Sequence, residues 1–215
     1  MEPKLLVFTS LFDSKMGVIK DFLVLSGKEK EVKKMDREYQ IRKLFGPWGL
    51  EELAQLYQGF SEDKLKEISS EYFQKKLIKG LKGFLLELKN KGFLIGVLSA
   101  NPQFILEPCK ENLPFDFIEG SHLEFKEKIA TGKLKKKIDR YIKAEILKKK
   151  KIECQLSKEN MIGIGRASIV DLPIARETEF FIGFDDSRET IDDVIEVIRE
   201  NKNLTEIFSL SNKIF

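Results

Sequence analysis

The sequence contains few of the residues that build disulfide frameworks and metal centres. Of 215 residues, two are cysteines and one is a histidine. Cys109 and Cys154 lie far apart and outside any metal-ligand spacing, which excludes a disulfide scaffold and a zinc site; we expect both to be buried thiols. His122 has no second histidine or cysteine nearby, and we expect it to be a surface residue without a catalytic or metal role.

Long apolar runs are missing as well. No run approaches the ~18 residues needed to span a bilayer, and the first residues contain neither a charged leader nor a cleavage site. The net charge is only +3, and the lysine runs at 133–137 and 148–151 predict solvated helix faces rather than a concentrated basic surface. We therefore expect a cytoplasmic protein that binds neither membranes nor nucleic acid.

Short apolar runs alternate with helical patterns along most of the chain. Strands buried on both faces are predicted at Lys4–Phe8 (KLLVF), 93–98 (FLIGVL), 115–118, Met161–Gly165 (MIGIG) and 180–184. A small hairpin is predicted from 122–125 and 128–130, and helices are predicted at 81–88, after Asn101-Pro102, from about Lys137 and at 191–200. This alternation predicts an α/β fold with a three-layer, Rossmann-like core around a parallel sheet, whose ligand sites lie at the carboxyl ends of the strands.

The segment from Gly17 to Gly80 differs from the rest because its periodicity is entirely helical. Four helices are predicted there, with a break at Gly46-Pro47 and a capping residue, Ser61, before the last helix. We predict that residues 1–14 and 81–215 form the α/β core and that residues 15–80 form an inserted helical cap.

Polar residues follow several of the predicted strands. Ser99 and Asn101 precede a helix, where their groups suit either an ordinary helix start or a phosphate oxygen. Lys143 by itself has the alternative of being one surface lysine among many, and Asp171 of beginning a turn and helix. The candidate phosphate- or ligand-binding residues are Thr9, Ser10, Ser99, Ala100, Asn101, Lys143 and Asp171.

The order and spacing of these segments resemble the haloacid dehalogenase superfamily, and within it the phosphoserine phosphatases. The resemblance covers nearly the whole chain: an opening strand followed directly by a helical cap, then LSANPQFILEPC, KAEIL and GRASIVDLPI, which are similar to three of the family's motifs. It implies a reaction in which an aspartate after the first strand takes the phosphoryl group, a second aspartate acts as acid and base, and magnesium bridges substrate and protein. Ser99 and Lys143 match the family's phosphate contacts.

The catalytic positions implied by the resemblance are changed. Thr9 occupies the place of the nucleophile, Leu11 that of the general acid, and Ala167 that of the first aspartate of the metal motif, whereas Asp171 matches the second. Threonine without an adjacent base is a poor nucleophile, and leucine cannot transfer a proton. Asp171 alone would make at best a weak Mg²⁺ site, so we expect no cofactor.

The cap also departs from the family's pattern. No arginine or lysine occurs between Trp48 and Phe60, where a contact to a substrate carboxylate is expected, and Gly17-Val18 stand where the family has an acid. Asp13 in LFDSKM is an alternative nucleophile only if the first strand extends through Thr9 and Ser10.

The sequence leaves three functions open. The leading hypothesis is a non-catalytic homologue that binds a phosphate-bearing small molecule or a protein partner, with Lys143 and Arg166 facing only Asp171, so that an anion binds without a metal. The alternatives are an active phosphomonoester hydrolase with altered chemistry and an interaction protein whose pocket is vestigial.

Overall fold

The computed structural model describes residues 4–14, 17–166 and 169–183. The strands are, in chain order, β1 (Lys4–Phe8), β2 (Phe93–Pro102), β3 (Phe117–Lys126), β4 (Ile129–Lys136), β5 (Met161–Gly165) and β6 (Phe180–Gly183). The helices are α1 (Val18–Leu25), α2 (Glu29–Arg42), α3 (Leu50–Gln55), α4 (Glu62–Lys76), α5 (Leu81–Asn90), α6 (Gln103–Asn112), α7 (Arg140–Glu153) and α8 (Leu172–Glu177).

The described strands form one sheet in the order β4-β3-β2-β1-β5-β6. Every neighbouring pair is parallel except β3 and β4, which are joined by a short turn and run antiparallel. The first strand lies in the middle, between β2 and β5, so the carboxyl ends of these three strands lie side by side. The predicted α/β fold is confirmed, with one antiparallel edge strand.

Alternate side chains of β1 pack into two apolar clusters on opposite faces of the sheet. Leu5 and Val7 pack with Leu147 of α7 and Ile174 of α8 on one face. Leu6, on the other face, belongs to a larger cluster that includes side chains of α5, α6 and the inserted helices. Because a fully buried leucine or phenylalanine contributes roughly 1.5–3 kcal/mol, both layers stabilise the sheet, and the predicted three-layer arrangement is confirmed.

Four helices, α1 to α4, follow β1 as predicted, and Ser61 caps α4 by accepting a hydrogen bond from the Lys64 amide at 3.2 Å. The chain leaves and re-enters the core along adjacent paths. Phe12 forms a bridge with Leu77, and the Asp13 amide donates to the Lys76 carbonyl at 2.8 Å. This pairing joins the two ends of the helical segment; its status as a separate cap of residues 15–80 stays a prediction.

The helical segment shares its apolar interior with the core. Phe22 and Tyr57 pack edge-on against Phe104 of α6, with ring centroids 5.2 and 5.5 Å from that of Phe104. These side chains belong to the same buried cluster as Leu6 and Phe8 of β1. The inserted helices are therefore packed on the sheet rather than tethered to it.

The predicted third strand and the first arm of the predicted hairpin are one continuous strand, β3. The sequence suggests a break because Gly120 and Ser121 interrupt the apolar pattern. Gly120 is needed in the strand because a Cβ there would lie 2.7 Å from the Asn101 carbonyl oxygen and 2.8 Å from Leu106 Cδ1. The second arm extends through Lys136, so most of the lysine run at 133–137 lies in β4, and its assignment to a helix face is wrong.

The lysine-rich helix α7 begins at Arg140 rather than at Lys137. Asp139 determines this start, because its carboxylate accepts hydrogen bonds from the amides of Tyr141 and Ile142 at 2.9 and 3.1 Å. The strand β2 likewise continues past residue 98 to Pro102, with a register shift against β3, and α6 begins at Gln103 without a side-chain cap. Asn101 therefore does not cap this helix, contrary to its predicted role.

Three further expectations have mixed outcomes. Cys109 is buried as predicted, but Cys154 at the end of α7 is only half-buried. The strand predicted at 180–184 is confirmed as Phe180–Gly183, whereas Phe184 and the helix predicted at 191–200 lie outside the described residues. In the ranges that the structure describes, every helix is too short or too polar to cross a bilayer.

Candidate functional site

The ends of three adjacent strands bring the predicted site residues to one edge of the sheet. Phe8 at the end of β1 is in register with Val97 of β2 and with Ile164 of β5. Thr9 directly follows β1. The neighbouring strand β2 is close to Ser99 at this level, and the neighbouring strand β5 ends there at Gly165. The sequence-based expectation that these strand ends lie together is confirmed.

The tip of β1 contains no ionisable side chain. Thr9 and Ser10 are buried, and Thr9 Oγ1 donates to the Ile164 carbonyl oxygen at 3.4 Å, while the Thr9 amide donates to the same oxygen at 2.8 Å. Leu11 is 1% exposed and belongs to the large apolar cluster. The side chain at the position of the expected general acid is therefore packed as core.

Ser99 and Asn101 contact each other at the end of β2. The Ser99 hydroxyl oxygen accepts from the Asn101 side-chain amide at 2.9 Å and from its backbone amide at 3.3 Å. Because Ser99 lies within the strand, its alternative assignment as an ordinary helix start is wrong. Its hydroxyl hydrogen is not required by these two bonds and is available to an acceptor such as a phosphate oxygen.

Lys143 and Asp171 form a buried ion pair across the site. Lys143 is 2% exposed, so its assignment as one surface lysine among many is wrong, and its Nζ lies 3.5 Å from Asp171 Oδ1. Asp171 is at the start of α8 as predicted, but its side chain does not cap that helix. Each ion compensates the charge of the other, which permits the burial of both, because a buried ion without a partner is strongly destabilising.

Gly165 at the end of β5 connects Thr9 with this ion pair. A Cβ at Gly165 would lie 2.0 Å from Thr9 Oγ1 and 3.2 Å from Asp171 Oδ2. The two oxygens therefore approach the same point on the backbone from different elements. This close approach requires glycine, because any side chain there would overlap the Thr9 hydroxyl.

A cavity of about 380 Å³ opens beside these residues, between the inserted helices and the strand ends. Ala100, Asn101 and Lys143 line it, together with Arg166, which directly follows β5. The described part of its wall does not include Thr9, Ser10, Ser99 or Asp171, all of which are buried. Three of the seven candidate residues thus line the cavity; of the others, Ser99 contacts Asn101 and Asp171 contacts Lys143.

Three more cations line the cavity that sequence reasoning missed, namely Lys20 of α1, Lys43 at the end of α2 and Arg140 of α7. Lys43 and Arg140 are buried. Spacing could have indicated Arg140, because positions 140 and 143 are neighbours on one helical face. No local pattern indicates Lys20 or Lys43, since their approach depends on how the inserted helices pack on the core.

The opposite wall of the cavity is largely apolar and aromatic. It includes Met35 and Tyr39 of α2 and Pro47-Trp48 of the following loop. Lys20 Nζ lies 4.7 Å from the ring centroid of Tyr39, and the Arg42 guanidinium lies 5.4 Å from that of Trp48, so cations cover both rings. This part of the wall is therefore apolar and aromatic, with a cation over one side of each of the two rings.

The donor set at the strand ends does not fit magnesium. Mg²⁺ prefers several oxygen ligands, usually one or two carboxylates with substrate oxygens and waters. Asp171 is the single carboxylate described here, and the Lys143 ammonium lies against it. Over the described residues, no three histidine, cysteine or acidic side chains are grouped closely enough to hold a metal ion; Ala167 and Ser168 lie outside those residues.

Two other residues considered from the sequence lie away from the cavity wall. Asp13 is exposed and its backbone pairs with Lys76, and β1 ends at Phe8, so the strand extension that would make Asp13 a nucleophile is absent from this described segment. His122 of β3 is half-buried rather than exposed. Burial, followed by the positive charge of Lys136, lowers the pKa of its imidazole.

Comparison with known proteins gives a consistent result. Residues 12–176 match the family described as haloacid dehalogenase-like hydrolase. A phosphoserine phosphatase of Archaeoglobus fulgidus is 27% identical over 213 residues, which are 97% of this chain and 60% of that protein. The chain thus spans about 60% of the length of this curated relative.

Solved structures agree on the fold. A substrate-bound phosphoserine phosphatase complex has a TM-score of 0.77 at 20% identity, covering 97% of this chain and 98% of that one. A phosphoserine phosphohydrolase-like protein from Francisella tularensis has a TM-score of 0.71 at 19% identity, covering 97% and 99% of the two chains. Because that family match covers more than half of the sequence, the chain belongs to the haloacid dehalogenase-like hydrolase family.

Proposed function

We propose that this protein binds a phosphate-bearing ligand in the cavity beside Lys143 and does not hydrolyse it. The observation on which the proposal depends is the chemistry at the tip of β1. Thr9 and Leu11 supply no carboxylate there, and Asp171 is already paired with a buried lysine at 3.5 Å. Among the described residues at the tip of β1, neither Thr9 nor Leu11 can capture a phosphoryl group as a carboxylate or transfer a proton as a second one.

The same side chains favour binding of an anion. Lys143, Arg166 and the Asn101 amide group line one end of the cavity, and Ser99 contacts Asn101. A phosphate placed there would accept hydrogen bonds from charged and neutral donors, and charge-assisted bonds of this kind are the stronger ones. Lys143 and Arg166 place positive charge at this end of the cavity, and that charge would attract the phosphate directly. We therefore propose that binding does not need magnesium.

The expected loss of catalysis is large. General acid–base catalysis by one positioned group contributes roughly 10²–10⁴-fold in rate, and Leu11 removes it. Metal-assisted charge stabilisation contributes several kcal/mol more, which a lone, lysine-paired carboxylate does not replace. Aspartyl phosphatase turnover should therefore be indistinguishable from the uncatalysed background.

The test of binding measures the melting temperature and the heat of binding with inorganic phosphate, with and without Mg²⁺. We expect phosphate to stabilise the wild-type protein equally in both conditions. Lys143→Gln paired with Asp171→Asn, which removes both charges without leaving one buried and uncompensated, should abolish the stabilisation. Lys148→Gln is the matched control, because Lys148 lies on the same helix but is exposed and pairs with Glu177.

A second candidate is an active phosphomonoester hydrolase with altered chemistry, and family membership is the observation that favours it. The two candidates separate in an assay with a chromogenic aryl phosphate and Mg²⁺. Turnover at an ordinary enzymatic rate that Thr9→Val abolishes would refute the binding proposal. If neither phosphate nor any phosphonate binds, and Ser99→Ala and Lys143→Ala change nothing, the remaining function is interaction with a protein partner.

A further inference from the structure

Arg140 is a buried cation in the cavity wall that the phosphate site does not explain. It is 8% exposed, and its guanidinium donates to the Lys43 carbonyl oxygen at 3.0 Å and to the Tyr141 hydroxyl at 3.4 Å. Both acceptors are neutral. Among the residues that the structure describes, no carboxylate lies within ion-pair distance of Arg140, whereas Lys143 one turn further along α7 has Asp171.

The neighbouring acid forms no ion pair with Arg140. Asp139, which also lines the cavity, directs its Oδ1 to the amides of Tyr141 and Ile142 and so caps α7. A buried charge without an opposite charge is costly, and a guanidinium has five N–H donors in a planar fork, of which the two neutral acceptors use two. The unused donors and the uncompensated charge suit a carboxylate or a phosphate.

We propose that Arg140 forms a second anion subsite, so that the cavity takes an organic phosphate with a second anionic group. The inference rests on the proposed function, because the phosphate is assigned to the Lys143 end of the cavity. Positions 140 and 143 are neighbours on α7, with Cβ atoms roughly 5–6 Å apart, so a small molecule can reach both. Lys43, whose carbonyl oxygen accepts from Arg140, also lines the cavity, as does Lys20, which pairs with Asp36.

The rest of the cavity wall indicates what joins the two anionic groups. Tyr39, Pro47 and Trp48 present aromatic and apolar surface. A flat or apolar body would pack on Pro47 and on the parts of the two rings that the neighbouring cations do not cover. A strongly hydrated linker would instead lose hydrogen bonds to water on entering. The ligand class is therefore a phosphate ester or phosphonate with an apolar body and a second anionic group.

The test compares two non-hydrolysable probes that differ only in the second group, phenylphosphonate and 4-phosphonobenzoate. Calorimetry on the wild-type protein should show at least tenfold tighter binding of 4-phosphonobenzoate. This comparison needs no variant. Arg140→Gln should reduce the ratio of the two affinities to about one, through weaker binding of 4-phosphonobenzoate and unchanged binding of phenylphosphonate. Arg140→Lys, which keeps the charge without the fork, should give an intermediate ratio.

Lys149→Gln serves as the control for a change of net charge, since Lys149 is an exposed lysine of the same helix. Equal affinities of the two probes for the wild-type protein would refute the second subsite. A preference that persists at full size in folded Arg140→Gln would refute its assignment to Arg140. If Arg140→Gln does not fold, the wild-type affinities together with those of Arg140→Lys decide the question. An affinity ratio for Arg140→Lys equal to that of the wild-type protein would then count against Arg140.

Benzoate separates failure of this inference from failure of the proposed function. If phenylphosphonate does not bind but benzoate stabilises the wild-type protein more than Arg140→Lys, the anion subsite at Arg140 stands and the phosphate site at Lys143 does not. If phenylphosphonate binds and the carboxylate adds nothing, the phosphate site stands and the second subsite is refuted. If neither the phosphonates nor benzoate bind, both are refuted.

Discussion

Asp171→Asn should have opposite effects on stability and on phosphate binding. In the wild-type protein the Asp171 carboxylate compensates the buried Lys143 ammonium at 3.5 Å. Removing its charge leaves Lys143 buried without that compensation, which destabilises the unliganded protein. It also removes the negative charge nearest to the proposed phosphate, so that phosphate becomes the counter-ion of Lys143.

Both effects can be scaled from the geometry. Breaking a buried ion pair by removing one partner typically costs about 3–5 kcal/mol, so the free energy of unfolding should fall by that order. Two unit charges about 4 Å apart interact by roughly 4 kcal/mol at an effective dielectric constant near 20, which is an upper bound for the repulsion that is relieved. We expect the affinity for phosphate to rise about ten- to hundredfold, or about 1.4–2.7 kcal/mol.

Urea unfolding with and without phosphate measures the first effect, and calorimetry measures the second. Phosphate should stabilise the variant more than the wild-type protein, because ligand stabilisation grows with the ratio of ligand concentration to Kd. Glu177→Gln is the matched control, since it removes an exposed acid that pairs with Lys148 at 3.2 Å and should change stability by less than about 1 kcal/mol. Weaker phosphate binding by Asp171→Asn would refute the reasoning, and a Mg²⁺-dependent turnover that this variant loses would show that Asp171 acts as a metal ligand.

Three further substitutions or reactions probe the same region. Gly165→Ala should lower the free energy of unfolding by about 1–3 kcal/mol in urea titrations, because the new methyl group overlaps Thr9 Oγ1. The additional change Thr9→Ala should recover part of that loss, and strictly additive effects of the two substitutions would contradict the contact. Leu11→Asp should cost about 4 kcal/mol or more by placing a carboxylate in the apolar cluster, against less than about 1.5 kcal/mol for Leu11→Met, so restoring this acid alone should unfold the protein before it restores chemistry. Burial raises the pKa of Cys109 to about 12, so alkylation near pH 8, followed by mass spectrometry, should label half-buried Cys154 first; equal rates would contradict the fold around α6.

Much of the fold was predictable because its signals are local. Lys4–Phe8 and Met161–Gly165 are short apolar runs that correspond to β1 and β5. The break at Gly46-Pro47 and the cap at Ser61 separate the inserted helices as predicted. Where neighbours decide, the sequence misled: Gly120 suggests an interruption, yet its lack of a side chain is what allows β3 to pass close to α6.

The candidate site was predictable only along each strand end. Ser99 lies near the end of β2 and Asp171 follows β5, and since both strands flank β1 in a parallel sheet, their proximity could be expected. The pairing of Lys143 with Asp171 and the burial of Arg140 depend on how α7 and α8 pack on the sheet. Lys20 and Lys43 reach the cavity only because the inserted helices fold over the strand ends. No local sequence pattern in the helices or in the strands indicates this contact.

The paired backbone at Phe12 and Leu77 makes the inserted helices separable in topology but not in energy. Since the chain departs and returns at neighbouring points, a tight turn could in principle replace everything between them without disturbing the order of the strands. The aromatic interior formed by Phe22, Tyr57 and Phe104 opposes such an excision, because it would leave one face of the sheet stripped of its cover. Substitutions in the inserted helices, which line the cavity and so affect the choice of ligand, should therefore be tolerated more readily than deletion of these helices.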